Sequence, residues 1–226
     1  MFLNGLIVYG SDDMLLSDIA LDASLVLEVA AFAEEYSLSL VGFSGDRSLC
    51  SQRCQWTEFL ASAHDPNPEP VGPWREIAAK HRINKVMLMA DPPTISGVRL
   101  LLDERLRGAA SLTQSQGTML EVLPPGSSKG AGMRLMLQHL GVACEEVLAL
   151  GDAENDIEML AMAGVGVAMG NASPGAKRAA SHATAANDDD GAALAIQFHL
   201  LEARGVRPGG AYSAYCQDEF TEGGGG

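Results

Sequence analysis

The stretch Val147-Leu-Ala-Leu-Gly-Asp-Ala-Glu-Asn-Asp-Ile-Glu-Met-Leu160 constrains this chain more than any other. Its first four residues are apolar and read as a buried strand, which stops at Gly151-Asp152. The residues that follow read as a helix with Ile157, Leu160 and Ala161 on one face. A strand that turns directly into a helix belongs to α/β architecture. It places Asp152 at the carboxyl end of a strand, where open α/β sheets bind their ligands. Asp152, Asn155 and Asp156 share one short loop and first helical turn. Two readings stand. The oxygen-rich set suits a hard cation such as Mg²⁺, which keeps waters or phosphate in its other positions. Alternatively, Asp152 and Asn155 serve only to cap the helix.

With 226 residues, 47% of them hydrophobic, the chain can bury one large core or two small ones. A formal net charge of −14 argues against nucleic acid or an anionic membrane as the main partner. Phosphate can still be held locally through a metal and a few cations. No apolar run approaches the ~20 residues of a membrane span, and no basic region precedes the apolar N-terminus as in a signal peptide. A cytoplasmic location is therefore expected. Cys50, Cys54, Cys144 and Cys216 are scattered without the second pair or histidines of a zinc site, so reduced thiols are expected.

Residues 1–122 read as an α+β unit, a sheet covered by helices on one side. Phe2 to Tyr9 is a turn and a strand, and Gly10-Ser-Asp-Asp13 a solvated hairpin tip leading to a returning strand at Met14 to Leu16. A helix is expected over 22–36, a strand over 38–43, a short helix over 50–62 and a proline-rich loop over 64–70. A helix over 74–81, a strand over 83–89, a helix capped by Thr94 or Ser96, and strands over 109–114 and 118–123 complete the unit. His64 and His81 lie beside loops and read as surface residues.

The texture changes at Pro124-Pro-Gly126. A helix begins at Ser127-Ser-Lys-Gly130 and buries Met133, Met136, Leu137 and Leu140. Lys129 falls in its first turn, where a cation opposes the helix dipole. It is either an ordinary exposed lysine or a partner for an anion held at that helix end. After the 147–160 stretch come a strand over 165–169, a helix carrying Ala176, Ala179 and Ala180, a short strand over 182–184, an Asn187-Asp-Asp-Asp190 turn and a last helix over 191–201. Residues 205–226 are glycine-rich without apolar periodicity and read as a disordered tail.

Four segments together resemble the haloacid dehalogenase-like (HAD) hydrolases, specifically the Cof-type, subfamily IIB sugar-phosphate phosphatases. They are Met119-Leu-Glu-Val-Leu-Pro-Pro-Gly-Ser-Ser-Lys-Gly130, Gly151-Asp-Ala-Glu-Asn-Asp-Ile-Glu-Met-Leu160, Ala163-Gly-Val-Gly-Val-Ala-Met-Gly-Asn-Ala172 and Asn187-Asp-Asp-Asp-Gly-Ala192. Asn4-Gly5-Leu-Ile-Val-Tyr9 resembles the segment where such proteins enter an inserted α+β cap. The resemblance implies an α/β fold: the C-terminal half of a HAD-like Rossmannoid core (123–204) with an inserted α+β cap domain (1–122). It implies a Mg²⁺-dependent phosphatase acting on a small phosphorylated metabolite, a sugar phosphate or similar monoester, through an aspartyl-phosphate. On that resemblance Lys129 steadies the phosphate and the nucleophile, Asp152 binds Mg²⁺, and Asn155 and Asp156 complete the metal and phosphate shell.

The family's Asp-x-Asp-Gly-Thr nucleophile motif has no counterpart. In its nearest candidate, Leu6-Ile-Val-Tyr-Gly-Ser-Asp-Asp-Met14, Gly10 stands where the nucleophile belongs and Met14 where the threonine belongs. The expectation is a whole cap and half a core, poorly stable alone, completed by a missing N-terminal segment or a partner chain. The alternative is a catalytically inactive binding or regulatory module.

Overall fold

The computed structural model describes residues 1–62 and 67–201, so the proposed tail and His64 lie outside the described residues. The chain forms two compact units, Met1–Leu140 and one beginning at Gly141.

The first unit opens with a small antiparallel hairpin, β1 (Ile7–Tyr9) and β2 (Leu15–Asp18), with a bulge after Val8. Asp12 and Asp13 form its exposed tip in a 3-10 turn, as a solvated turn requires. The main body is a six-stranded sheet in the order β5-β4-β3-β6-β8-β7. Its strands are β3 (Ser39–Ser44), β4 (Arg47–Cys50), β5 (Glu69–Pro70), β6 (Lys85–Met89), β7 (Ser111–Thr113) and β8 (Met119–Leu123). Every neighbouring pair is antiparallel except β4 with β5.

On one face, helices α1 (Ala23–Glu35), α3 (Trp74–Lys80) and α4 (Pro92–Leu106) bury Val26, Val29, Phe32, Ile77, Ile95, Val98 and Leu102. These pack on Leu40, Val86, Leu88, Leu120 and Val122 of the sheet. The other face is not bare, contrary to the expectation of helices on one side only. Helix α2 (Gln55–Ser62) lays Trp56 and Leu60 against Val41, Met87, Met89 and Met119. Cover on both faces explains why β6 and β8 are buried at every residue rather than at alternate ones.

Other element boundaries also differ from expectation: the loop expected over 64–70 carries β5 at Glu69–Pro70, and two helices start elsewhere. The helix expected from residue 50 begins only at Gln55, because Arg47–Cys50 pairs with β3 as a strand, Cys50 opposite Val41. Helix α4 begins before Thr94. Asp91 is its cap, accepting from the Thr94 N–H at 3.1 Å and the Thr94 hydroxyl at 2.8 Å. Pro92 then occupies the first helical position, where a missing N–H costs nothing. The helix expected after Pro124-Pro-Gly126 is α5 (Lys129–Leu140). It sits hard against the entry segment: a Cβ on Gly5 would lie 2.5 Å from the Ser128 carbonyl oxygen, and Gly5 has φ +85°. Only glycine allows that approach.

Two strands of this sheet carry buried charges. The Lys85 and Glu121 side chains are 9% and 3% exposed and pair at 2.5 Å. Lys85 also donates to Asn4 Oδ1 at 3.1 Å and lies over the Phe43 ring at 4.8 Å.

The second unit is a parallel three-stranded sheet in the order β11-β10-β9: β9 (Leu148–Gly151), β10 (Val165–Ala168) and β11 (His182–Ala183). Helices α6 (Ile157–Met162) and α7 (Pro174–Ala179) pack on it through small residues, Ala149, Ala168, Ala172, Ala176 and Ala180, together with Leu160. The last expected helix divides into α8 (Gly191–Ile196) and a π-helical turn, Gln197–Leu201. Among the described residues no helix is long and apolar enough to cross a membrane.

Removing one member of a buried ion pair strands the other charge. Lys85→Met should therefore destabilise the first unit by about 3–5 kcal/mol, whereas Lys85→Met with Glu121→Leu should recover most of that loss. Urea unfolding of the single and double variants checks this; equal losses in both would refute it.

Candidate active site

The carboxyl ends of three parallel strands carry the site. β9 ends at Gly151 and hands the chain to Asp152, Asn155 and Asp156. β10 ends at Ala168 ahead of Asn171, and β11 at Ala183 ahead of Asn187. Backbone bonds lock these loops together. Met169 N–H donates to Gly151 O at 3.0 Å, Ser173 N–H to Asp152 O at 2.7 Å, and Gly170 N–H to Ala185 O at 3.0 Å.

Asp156 organises the first loop. Its residue is 3% exposed. Its Oδ2 accepts the backbone N–H groups of Asp152 at 3.0 Å and Ala153 at 3.1 Å. The carboxylate folds back under the strand end, which is possible only because residue 151 lacks a side chain. A Cβ there would fall 2.5 Å from Asp156 Cβ and 2.7 Å from its Cγ. The Gly-Asp step is thus a packing requirement, and its effect is to turn the Asp152 side chain outward.

Asp152 is exposed. Its Oδ2 accepts from Asn171 Nδ2 at 3.3 Å, and Asn171 Oδ1 accepts the Asn187 N–H at 3.0 Å. Asn187 Nδ2 in turn donates to Asp188 Oδ1 at 3.1 Å. One polar chain therefore runs across all three strand ends. Asn155 adds an amide oxygen, Oδ1, that is buried without a hydrogen-bond partner. A buried acceptor left unpaired costs about 1–3 kcal/mol, so this atom calls for a donor or a cation.

Among the described residues no cluster of three or more His, Cys, Asp or Glu side chains could hold a metal. The donor set at β9 is instead one exposed carboxylate, one orphan amide oxygen and neighbouring amides. That set is too sparse for zinc or calcium, but fits a cation that takes one or two carboxylates and draws its other ligands from water and phosphate.

The structure brings Asp152, Asn155 and Asp156 together in one loop of the second unit. Lys129 belongs to the first unit, at the opening position of α5, behind a Ser128 cap whose Oγ accepts the Ala131 N–H at 2.9 Å. Asn171 and Asn187 lie in segments that carry the family resemblance but were given no site role from the sequence, although each follows closely on a parallel strand. The rule that identified Asp152 at the end of β9 applies equally to β10 and β11.

Residues 1–196 match a family profile described as haloacid dehalogenase-like hydrolase. The chain is 36% identical over 198 residues to the chloroplastic endoribonuclease YBEY of Arabidopsis thaliana, covering 87% of this chain and 34% of that protein. It is 43% identical over 94 residues to the HMP-PP phosphatase of Cronobacter sakazakii, covering 42% of this chain and 35% of that one. The chain thus spans about a third of these curated relatives. A solved subclass IIB sugar phosphatase of the HAD superfamily superposes with a TM-score of 0.74 at 23% identity, over 90% of this chain and 74% of its own, and so shares the fold.

The two aspartates should separate in their effects on folding. Asp156→Ala strands two N–H groups and should cost the second unit about 1–3 kcal/mol. Asp152→Ala, at an exposed position, should stay within about 0.5 kcal/mol. Urea unfolding monitored by circular dichroism distinguishes them, and a reversed order would refute the structural role given to Asp156.

Proposed function

Because the chain belongs to the haloacid dehalogenase-like hydrolase family, we propose that it supplies the cap (residues 1–122) and the C-terminal part of the core (123–204) of a magnesium-dependent phosphatase. The substrate class is a small phosphate monoester such as a sugar phosphate. The observation that carries this reading is the polar chain across three parallel strand ends, with Asp152 turned outward and Asn155 Oδ1 unpaired beside it.

In this reading Asp152 and Asn155 hold the metal. Asp156 fixes the loop that presents them, through the two backbone N–H groups it accepts. Asn171 orients the Asp152 carboxylate from the next strand. Lys129 contributes a positive charge to the phosphate and the nucleophile. A bound magnesium ion would neutralise charge on the transferring phosphoryl oxygens. The remaining requirement is in-line positioning against a carboxylate, which forms the aspartyl-phosphate and then yields to water. The sequence holds no Asp-x-Asp-Gly-Thr, so this reading requires a carboxylate from outside these residues.

The missing motif also favours a second reading, a binding module that holds phosphorylated ligands without turning them over. The ribonuclease name of the plant relative belongs to a protein of which the match covers 34%. A net charge of −14 here opposes a nucleic-acid role for this part.

The test is complementation. The chain alone should show no magnesium-dependent hydrolysis of p-nitrophenyl phosphate. Fusing an N-terminal HAD segment bearing the nucleophile motif should produce activity, and Asp152→Ala in that fusion should lower it by about 100-fold or more. A folded fusion that stays inactive, yet binds phosphorylated sugars by calorimetry, would favour the binding module.

A further inference from the structure

Away from the strand-end site, two cysteines occupy unequal environments on one face of the six-stranded sheet. Cys50 closes β4 directly opposite Val41 of β3, so both side chains point to the face covered by α2. Ser39 lies two residues from Val41 along β3 and shares that face. Cys54 follows four residues after Cys50, at the position that caps α2. Its carbonyl accepts the Glu58 N–H at 3.1 Å and the Thr57 hydroxyl at 2.8 Å, and its N–H donates to Thr57 Oγ1 at 2.9 Å. These contacts pin the Cys54 backbone, and its Sγ stands 3.2 Å from Ser39 Oγ. Cys54 is half-buried, whereas Cys50 is 1% exposed.

We propose that Cys54 is a modification site: a nucleophilic thiol that reacts with peroxides and is then resolved by Cys50, closing a disulfide between the end of β4 and the start of α2. The geometry supplies both parts, a sulfur at a helix N-terminus 3.2 Å from the Ser39 hydroxyl and a second thiol packed on the same sheet face. The electrostatics point the same way. Burial alone would push the Cys54 thiol up, but hydrogen bonding from the Ser39 hydroxyl and from Thr57 and Trp56 outweighs it and holds the thiol below its ordinary value. Burial, joined by the charge of Cys54, pushes the Cys50 thiol up. The two thiols are thus shifted in opposite directions, Cys54 toward the thiolate and Cys50 away from it.

The chemistry balances with hydrogen peroxide as oxidant. The Cys54 thiolate attacks one peroxide oxygen and the O–O bond breaks. Hydroxide leaves, and the sulfur, oxidised by two electrons, becomes a sulfenic acid. The Cys50 sulfur then attacks the sulfenic sulfur. The S–O bond breaks, water departs with the Cys50 proton, and the disulfide forms.

The test needs the whole chain and no phosphatase assay, so it stands apart from the proposed function. The reduced protein is pulsed with iodoacetamide at neutral pH, and each cysteine peptide is read by mass spectrometry. Cys54 should label about tenfold or more faster than Cys50, and Ser39→Ala should slow it by several-fold. Hydrogen peroxide should then join the two cysteines with loss of two hydrogens. In Cys50→Ser the reaction should stop at a sulfenic acid that dimedone traps at residue 54. Labelling of Cys54 no faster than Cys50, or a dimedone adduct at Cys54 that persists with Cys50 in place, would overturn the proposal.

Discussion

A buried carboxylate dictates the form of the second unit. Asp156 is almost wholly enclosed, and a charge in that position is tolerable only if its oxygens are bonded. The N–H groups of Asp152 and Ala153, just past the last strand residue, meet that need. Once they are fixed, residue 151 must be glycine, the chain must turn at residue 152, and the Asp152 side chain has no way to go but out. The neighbouring loops then close on Asp152 through Asn171 and Ser173. A reactive-looking carboxylate is thus presented by a second one that does no visible chemistry itself.

The same rule acts in the first unit with the opposite outcome. Lys85 and Glu121 are also deeply enclosed, but they satisfy one another, and Lys85 donates to Asn4 Oδ1 as well. Their interaction joins the entry segment, β6 and β8 across the face that also carries Met87, Met89 and Met119. A polar network of this kind is weak evidence for stability, because a well-packed apolar set of equal volume does as well. What it supplies is register. Lys85 can reach Glu121 only if β6 and β8 pair as they do, with Met87 opposite Glu121.

Much of this was legible in the residues, and the failures share causes. Elements with local signals were readable: the strand-to-helix step at Gly151-Asp152, the hairpin tip at Asp12-Asp13, the parallel strands at 165–169 and 182–184. Arg47–Cys50 was missed because a four-residue strand in a polar setting carries little periodicity, and its identity depends on the distant Val41 and Phe43. The start of α4 was misplaced because Asp91-Pro-Pro93 reads as a strand terminator, although a proline behind an acid opens a helix equally well. Lys85 and Glu121 gave no sign of burial, since charge in a sequence normally marks a solvated face. At the site, loop residues adjacent in sequence were legible. Asn171 and Asn187 were not, because only the folding of three strands side by side brings them to Asp152.

Charge completes the argument about what these strand ends can hold. Every side chain in the chain from Asp152 through Asn171 and Asn187 to Asp188 is an amide or a carboxylate, and none is a cation. The whole chain carries 29 acidic residues against 15 basic ones. A phosphate brought to such a surface unaided meets like charge, and an isolated repulsion at contact distance is worth several kcal/mol at the dielectric of a protein surface. A divalent ion would reverse the sign, and at these strand ends the exposed Asp152 carboxylate and the orphan oxygen of Asn155 are the acceptors open to one. With the amide donors already engaged and oxygens left over, a bridging cation is the readiest way for these strand ends to hold an anion, so the proposed phosphatase activity depends on the proposed magnesium ion.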